Sequence, residues 1–348
     1  MAHRKLRPVI DGEYRLIGPS PDLAMLPGDA ERRLDFEQGR VAEYNAPVDH
    51  HIFQSADGHW HLWGCVRATS VGRVLYHWET TDFFATPWRA TGEFIRADRS
   101  AGECVDDWNG EEWLQSPYVV RHDGTFYMFY GGHRSGVDRS GRRAAGGPAR
   151  SGPTDELIRD ERNLFQMCLM TSTDGRSWSR HRSDAPGPAA GTSSVFMDVG
   201  ETRNPCVIQV DGLWLMYYAG FFDPDRPEDG AGFLVRRSRD LIHWSGAELV
   251  HRDPRFGAGR VETECPHVVY RDGFYYLFRT VNYYRCLTYV FRSDDPTDFG
   301  IGDASTKLVG RLPCAAPEVY RVGDAEFVSS SHQPLFGESI CRLRWVEE

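Results

Sequence analysis

Short apolar runs, each interrupted by an Asp-Gly or Gly-Asp pair and followed by an aromatic run, recur five times along this chain. Asp49-His50-His51-Ile52-Phe53 leads through Asp57-Gly58 to Trp60-His61-Leu62-Trp63. Pro117-Tyr118-Val119-Val120 leads through Asp123-Gly124 to Phe126-Tyr127-Met128-Phe129-Tyr130. The later copies run from Pro205, Pro266 and Pro317 through Asp211-Gly212, Asp272-Gly273 and Gly323-Asp324. Asp-Gly between apolar runs signals a hairpin, because both turn residues must accept positive φ. Each copy therefore opens with a hairpin. A second signature follows most copies, as in Ser172-Thr173-Asp174-Gly175, Ser238-Arg239-Asp240 and Ser293-Asp294-Asp295. It reads as the turn between a third and a fourth strand. Four antiparallel strands repeated five times predict an all-β, five-bladed propeller in one domain. Residues 45–348 form it, and residues 1–44 are an N-terminal extension packing on it.

In a propeller the first strand of each blade lines the axis. Residues just before those strands then ring one face, which gathers distant parts of the sequence. The ring positions are Asp49, Ser116, Asn204, Cys265 and Ala316, preceded by Val48, Gln115, Arg203, Glu264 and Ala315. Two carboxylates, Asp49 and Glu264, fall on it. Acids at a strand start are often mere turn formers; a blade-to-blade structural role, however, does not require them. The same face carries residues 65–71, 133–163, 221–231, 279–285 and 332–336. Residues 134–163 are rich in Arg, Gly and Ser, which reads as a flexible insertion and, on the sharper reading, a lid or a subunit-contact arm.

Composition narrows the partners. Hydrophobic residues at 41% supply a core, and 13% aromatics suit both strands and sugar-stacking surfaces. A net charge of −10 without a basic stripe argues against nucleic acid. No apolar run reaches membrane-spanning length. The basic stretch Met1–Arg7 is followed by no apolar segment, so no secretory signal is read. The 8 Cys form no C-x-x-C pair. They read as buried free thiols of a cytoplasmic protein rather than as zinc ligands. A homo-oligomer is compatible with all of this.

The ordered motifs resemble those of the five-bladed propeller glycosidases, families 43 and 32, the arabinanase/xylosidase and invertase/levanase groups. Those families carry an Asp before the first strand, where this chain has Val48-Asp49-His50. They carry a Glu at the head of blade four, matched by Glu264-Cys265-Pro266-His267. Two positions depart from the pattern. His50 replaces a Pro, and Asn204 replaces an Asp within Arg203-Asn204-Pro205. The resemblance implies a glycosidase acting on a small carbohydrate or glycoside such as an arabinofuranoside, xyloside or fructoside. Glu264 is then the general acid, with Glu262 as a rival, and Asp49 the base or nucleophile. The resemblance implies substrate contacts at Asn204 and near His332; beside them Arg203 is read as a clamp for a hydroxyl or carboxylate, and Trp113 and Tyr283, read in pocket-side loops, as rings that stack on sugar. No metal or cofactor is required, although relatives place a His like His332 beside a structural cation. The rival functions are a non-catalytic sugar-binding propeller, or a phosphorylase or transferase using Arg67, Arg203 and Arg279.

Overall fold

The computed structural model describes residues 3–21, 47–69, 71–104, 112–135, 163–199, 202–221, 230–257, 262–282, 285–331 and 334–348. Among them the only helical segments are short 3-10 turns, and everything regular is strand. The chain divides into two compact units, Gly18–Arg203 and Met1–Ile17 with Asn204–Glu348.

The strands in chain order begin with β1 (Leu6–Ile10) and β2 (Arg15–Pro19). The first hairpin and its continuation are β3 (Pro47–Gln54), β4 (Trp60–Thr69), β5 (Gly72–Thr80) and β6 (Arg89–Ile95). The second set is β7 (Glu112–His122), β8 (Thr125–Ser135), β9 (Asn163–Ser172), β10 (Ser179–Arg180) and β11 (Ser194–Val199). These nine strands, β3 to β11, form one sheet, because β5 and β7 pair in parallel at Gly72↔Glu112 and Arg73↔Trp113. The third set is β12 (Thr202–Val210), β13 (Leu213–Phe221), β14 (Ala231–Ser238) and β15 (Glu248–His251). The fourth is β16 (Glu264–Arg271), β17 (Phe274–Asn282), β18 (Leu287–Ser293) and β19 (Leu308–Leu312). Each of these two is a separate four-stranded sheet in simple sequential order. The last is β20 (Val319–Val322), β21 (Ala325–Ser331) and β22 (Gly337–Glu347).

That last set has only three strands of its own. The fourth place is taken by β1, antiparallel to β22 from Leu6↔Glu347 to Ile10↔Leu343, and β2 also pairs with β22. The segment read from sequence as an extension thus contributes strands to a sheet. Leu6 enters the apolar cluster of Tyr276, Phe278, Val290, Leu312, Val328 and Leu343. The main part of the insertion expected at 134–163 lies outside the described residues.

Asp123-Gly124, Asp211-Gly212 and Asp272-Gly273 all have positive φ at both residues, the geometry of a two-residue hairpin turn. The other two hairpins differ. In the first, only Gly58 has positive φ, and Ser55 N–H reaches His59 O across a longer loop. In the last, only Gly323 does. The Ser-x-Asp signature closes the connection from the third strand. Asp174 Oδ1 accepts from the backbone of Arg176 and Ser177, and Asp240 Oδ1 accepts likewise from Ile242 and His243.

Gly212 offers a clean test of turn geometry. An added Cβ would meet nothing within 4 Å, so Gly212→Ala probes backbone conformation alone. A left-handed residue with a Cβ costs about 1–2 kcal/mol, and the urea midpoint should fall accordingly. Gly310→Ala, equally unobstructed and without positive φ, should shift it by less than about 1 kcal/mol.

Candidate active site

The heads of the first strands carry a shared irregularity. In β3 the ladder to β4 shifts between Pro47 and His50, in β7 between Gln115 and Tyr118, and in β16 between Glu264 and His267. In each case two residues oppose one, a β-bulge, which bends a strand and re-aims its side chains. The bulged pairs are Val48-Asp49, Ser116-Pro117 and Cys265-Pro266, opposed by Cys65, Tyr130 and Arg279. Ser116, Asn204, Cys265 and Ala316 share a left-handed conformation, with φ of 55°, 55°, 51° and 49°. Each precedes a proline, which bars its neighbour from the right-handed helical region. The same conformation at four equivalent positions marks the repeat in the backbone itself. Non-glycine residues at such φ are strained and concentrate at functional sites.

The first repeat departs by one residue. Its ladder sets Asp49 level with Pro117 and Pro266, not with Ser116 and Cys265. Asp49 has no positive φ. It stands where the other repeats carry proline, and the aspartate without a following proline is accommodated inside the bulge. Its carboxylate is buried and accepts a hydrogen bond from Ser116 Oγ at 2.8 Å. The left-handed serine of the second repeat therefore holds the acid of the first. His50 beside it is buried, and burial above all, with His51 adding to it, pushes its imidazole down to about 3, so it is neutral at ordinary pH. His51 lies against the ring of Tyr118 at 4.2 Å between centroids.

Glu264 is the first residue of β16, buried, directly before its bulge. The rival Glu262 lies outside the strand and is exposed, so the two glutamates do not share an environment. The segment leading to Glu264 is fastened from behind by Arg279, only 1% exposed. Its guanidinium donates to the carbonyls of Glu262 and Asp253 and to Thr263 Oγ1, and lies 3.1 Å from His251 Nε2. Burial lowers its pKa to about 10. Arg279 belongs to β17 rather than to a pocket-side loop, and its donors are spent on this segment instead of on a phosphate site. Asn204 and Arg203 are both buried in β12. Trp113, expected in a loop, lies in β7, and the Arg73 guanidinium covers its ring at 3.6 Å. His332 and Tyr283 lie outside the described residues, and with them the cation expected near His332.

Sequence reading missed a different cluster. His61, His77 and Glu79 bring donor atoms within 4.8 Å of one another, a set able to hold a structural cation. His61 and Glu79 are direct cross-strand partners, and His77 faces Trp63 two pairs along, on the same face. The available signal was the i, i+2 spacing of His77 and Glu79, which places both on one face of a strand.

No known family model matches the sequence, and no curated protein matches it either. Solved structures do match. A thermostable family-43 glycoside hydrolase superposes with a TM-score of 0.54 at 15% identity, over 87% of this chain and 90% of that one. The xylan β-1,4-xylosidase of Bacillus halodurans C-125 gives 0.55 at 14% identity, over 87% of this chain and 53% of that one. The family-32 β-fructofuranosidase of Bombyx mori gives 0.55 at 12% identity, over 91% and 65%. At these identities the likeness is one of fold: the chain shares the propeller-like, all-β arrangement of sheets found in these glycosidases.

Proposed function

We propose that this protein is a glycoside hydrolase with five blades, acting on a furanoside or pentoside through Asp49 and Glu264. The observation that carries this reading is the pairing of irregularity with charge. Two of the bulged strand heads bear a buried carboxylate, in a fold shared with a xylan xylosidase and a β-fructofuranosidase. Glycoside hydrolysis needs one carboxylic acid to protonate the leaving oxygen and one carboxylate on the opposite side of the sugar. Glu264 takes the first role and Asp49 the second, with Ser116 fixing the Asp49 carboxylate. Asn204, with Arg203 beside it, contacts sugar hydroxyls. Asn204 supports the second reading, a sugar-binding propeller without turnover, because it offers an amide where relatives offer a third carboxylate.

A panel of aryl arabinofuranosides, xylosides and fructosides tests the reading. The parent releases aglycone from at least one of them. On that substrate Asp49→Asn and Glu264→Gln should each lower kcat by about 10²–10⁴, the scale of acid–base catalysis, with the circular dichroism spectrum unchanged. Parent-like turnover in either variant removes that residue from the mechanism. Sugar binding by the parent without release of any aglycone selects the binding-module reading.

Asn204→Ala should cost about tenfold or less in kcat/KM, the worth of one hydrogen bond to a neutral group. Unchanged kinetics would take Asn204 out of the site.

A further inference from the structure

The cluster of His61, His77 and Glu79 plays no part in the glycosidase reading. It lies within the unit Gly18–Arg203, on neighbouring strands β4 and β5. The two imidazoles lie edge to edge and nearly coplanar, with centroids at 5.1 Å and planes 12° apart. The Phe53 ring lies against His61 at 5.3 Å and the Trp63 ring against His77 at 4.6 Å between centroids. His61 is 1% and His77 3% exposed, while the Glu79 side chain is 13% exposed. His61 Nδ1 and His77 Nε2 face each other at 2.8 Å.

A count of protons defines what this pair can do. Ser55 Oγ lies 2.6 Å from Asp57 Oδ1, and a carboxylate only accepts. Ser55 therefore spends its one proton there and accepts from His61 Nε2–H at 2.8 Å. A neutral imidazole carries one N–H and one lone pair, so His61, with its N–H on Nε2, keeps its lone pair on Nδ1, aimed at His77. On the far side, Thr91 Oγ1 lies 3.0 Å from His77 Nδ1 and 3.1 Å from the His77 carbonyl. If Thr91 donates to His77 Nδ1, then His77 Nε2–H donates to His61 and the chain closes without a cation. If Thr91 donates to the carbonyl, it accepts from His77 Nδ1–H, and two lone pairs then converge where Glu79 adds a carboxylate oxygen. One proton moved across His77, with one hydroxyl rotation, converts a closed relay into a ligand set. In that set each imidazole is oriented through its other nitrogen by a hydroxyl, the support that metal-bound histidines carry.

Charge favours a cation. Asp57, Glu79, Glu93 and Asp174 surround the pair, against Arg89 and Arg176, four carboxylates to two guanidiniums. Glu79 is held by both arginines. Arg89 is 66% exposed and is the one that can yield. Tetrahedral bonds of about 2.0–2.2 Å require donor atoms about 3.3–3.6 Å apart. The histidine nitrogens must open slightly and Glu79 must close in, both within side-chain adjustment.

We propose that His61, His77 and Glu79 bind one divalent transition cation of the zinc class, which clamps β4 to β5. Two imidazoles and one carboxylate suit zinc, cobalt or nickel and disfavour calcium. A fourth position remains for water.

The full chain, stripped with a chelator and dialysed, is titrated with zinc chloride against a chromophoric competitor. One equivalent should bind with micromolar or tighter affinity, and excess calcium should not displace it. Cobalt should give the visible absorption of a four-coordinate site. His77→Gln and the milder Glu79→Gln, at a partly exposed position, should each weaken binding at least about tenfold, and His122→Gln should leave it unchanged. Zinc should raise the melting temperature of the parent and not that of His77→Gln. No binding at about 100 μM zinc, or binding unaltered in both His77→Gln and Glu79→Gln, would overturn the proposal and leave the pair as a hydrogen-bond relay. Glycosidase activity does not enter any of these readouts.

Discussion

A strand in a flat ladder points its side chains to one face or the other and cannot aim them along its own axis. The bulge removes that constraint, and in this chain it recurs at the same place in the first strands. Two residues occupy the space of one, the strand bends, and the residues at its head are turned out of the ladder. Two of the three bulges hold a left-handed residue, Ser116 and Cys265, and Asn204 and Ala316 share that strained conformation before their prolines. Asp49 and Glu264 are placed by it, one inside a bulge and one just ahead of it.

Each bulge also needs an anchor on the opposing strand. Cys65, Tyr130 and Arg279 face the three bulged pairs, and all three are buried. Tyr130 donates its hydroxyl to the fully buried Glu103, which also takes Arg180 and Ser193. Arg279 donates to carbonyls of the segment leading to Glu264. Cys65 reaches the carbonyl of Leu114 at 3.4 Å. A buried polar group must be satisfied, and these three satisfy theirs on the backbone or side chains of flanking segments. The irregular strand head is in this way tied to regular structure.

The hairpins were legible because Asp-Gly has a direct backbone meaning, realised at Asp123-Gly124, Asp211-Gly212 and Asp272-Gly273. The ring of strand heads set Asp49 level with Ser116 and Cys265, whereas the ladder sets Val48 there; Asp57-Gly58 belongs to a longer loop and so does not mark the register of the first repeat. The role of residues 6–10 was hidden, because pairing of β1 with β22 joins the two ends of the sequence and leaves no local pattern. Trp113 looked like a loop aromatic because nothing in sequence reveals the parallel pairing of β5 and β7 that buries it. The His61–His77–Glu79 cluster depends wholly on the register of β4 against β5, which alternation alone does not fix. Glu264 was found through its motif, and its burial against the exposure of Glu262 separates the two glutamates physically.

The catalytic assignment is tested most directly by a crystal structure with a bound iminosugar, a cationic mimic of the oxocarbenium-like transition state. The two-carboxylate reading predicts the ligand nitrogen or the adjoining ring carbon beside Asp49, with Glu264 within hydrogen-bond reach of the leaving-group position. The same structure gives the carboxylate separation, with about 5–5.5 Å indicating retention and about 6.5–9.5 Å inversion. An iminosugar bound away from both carboxylates, in a crystal where the site is open to solvent, would contradict it.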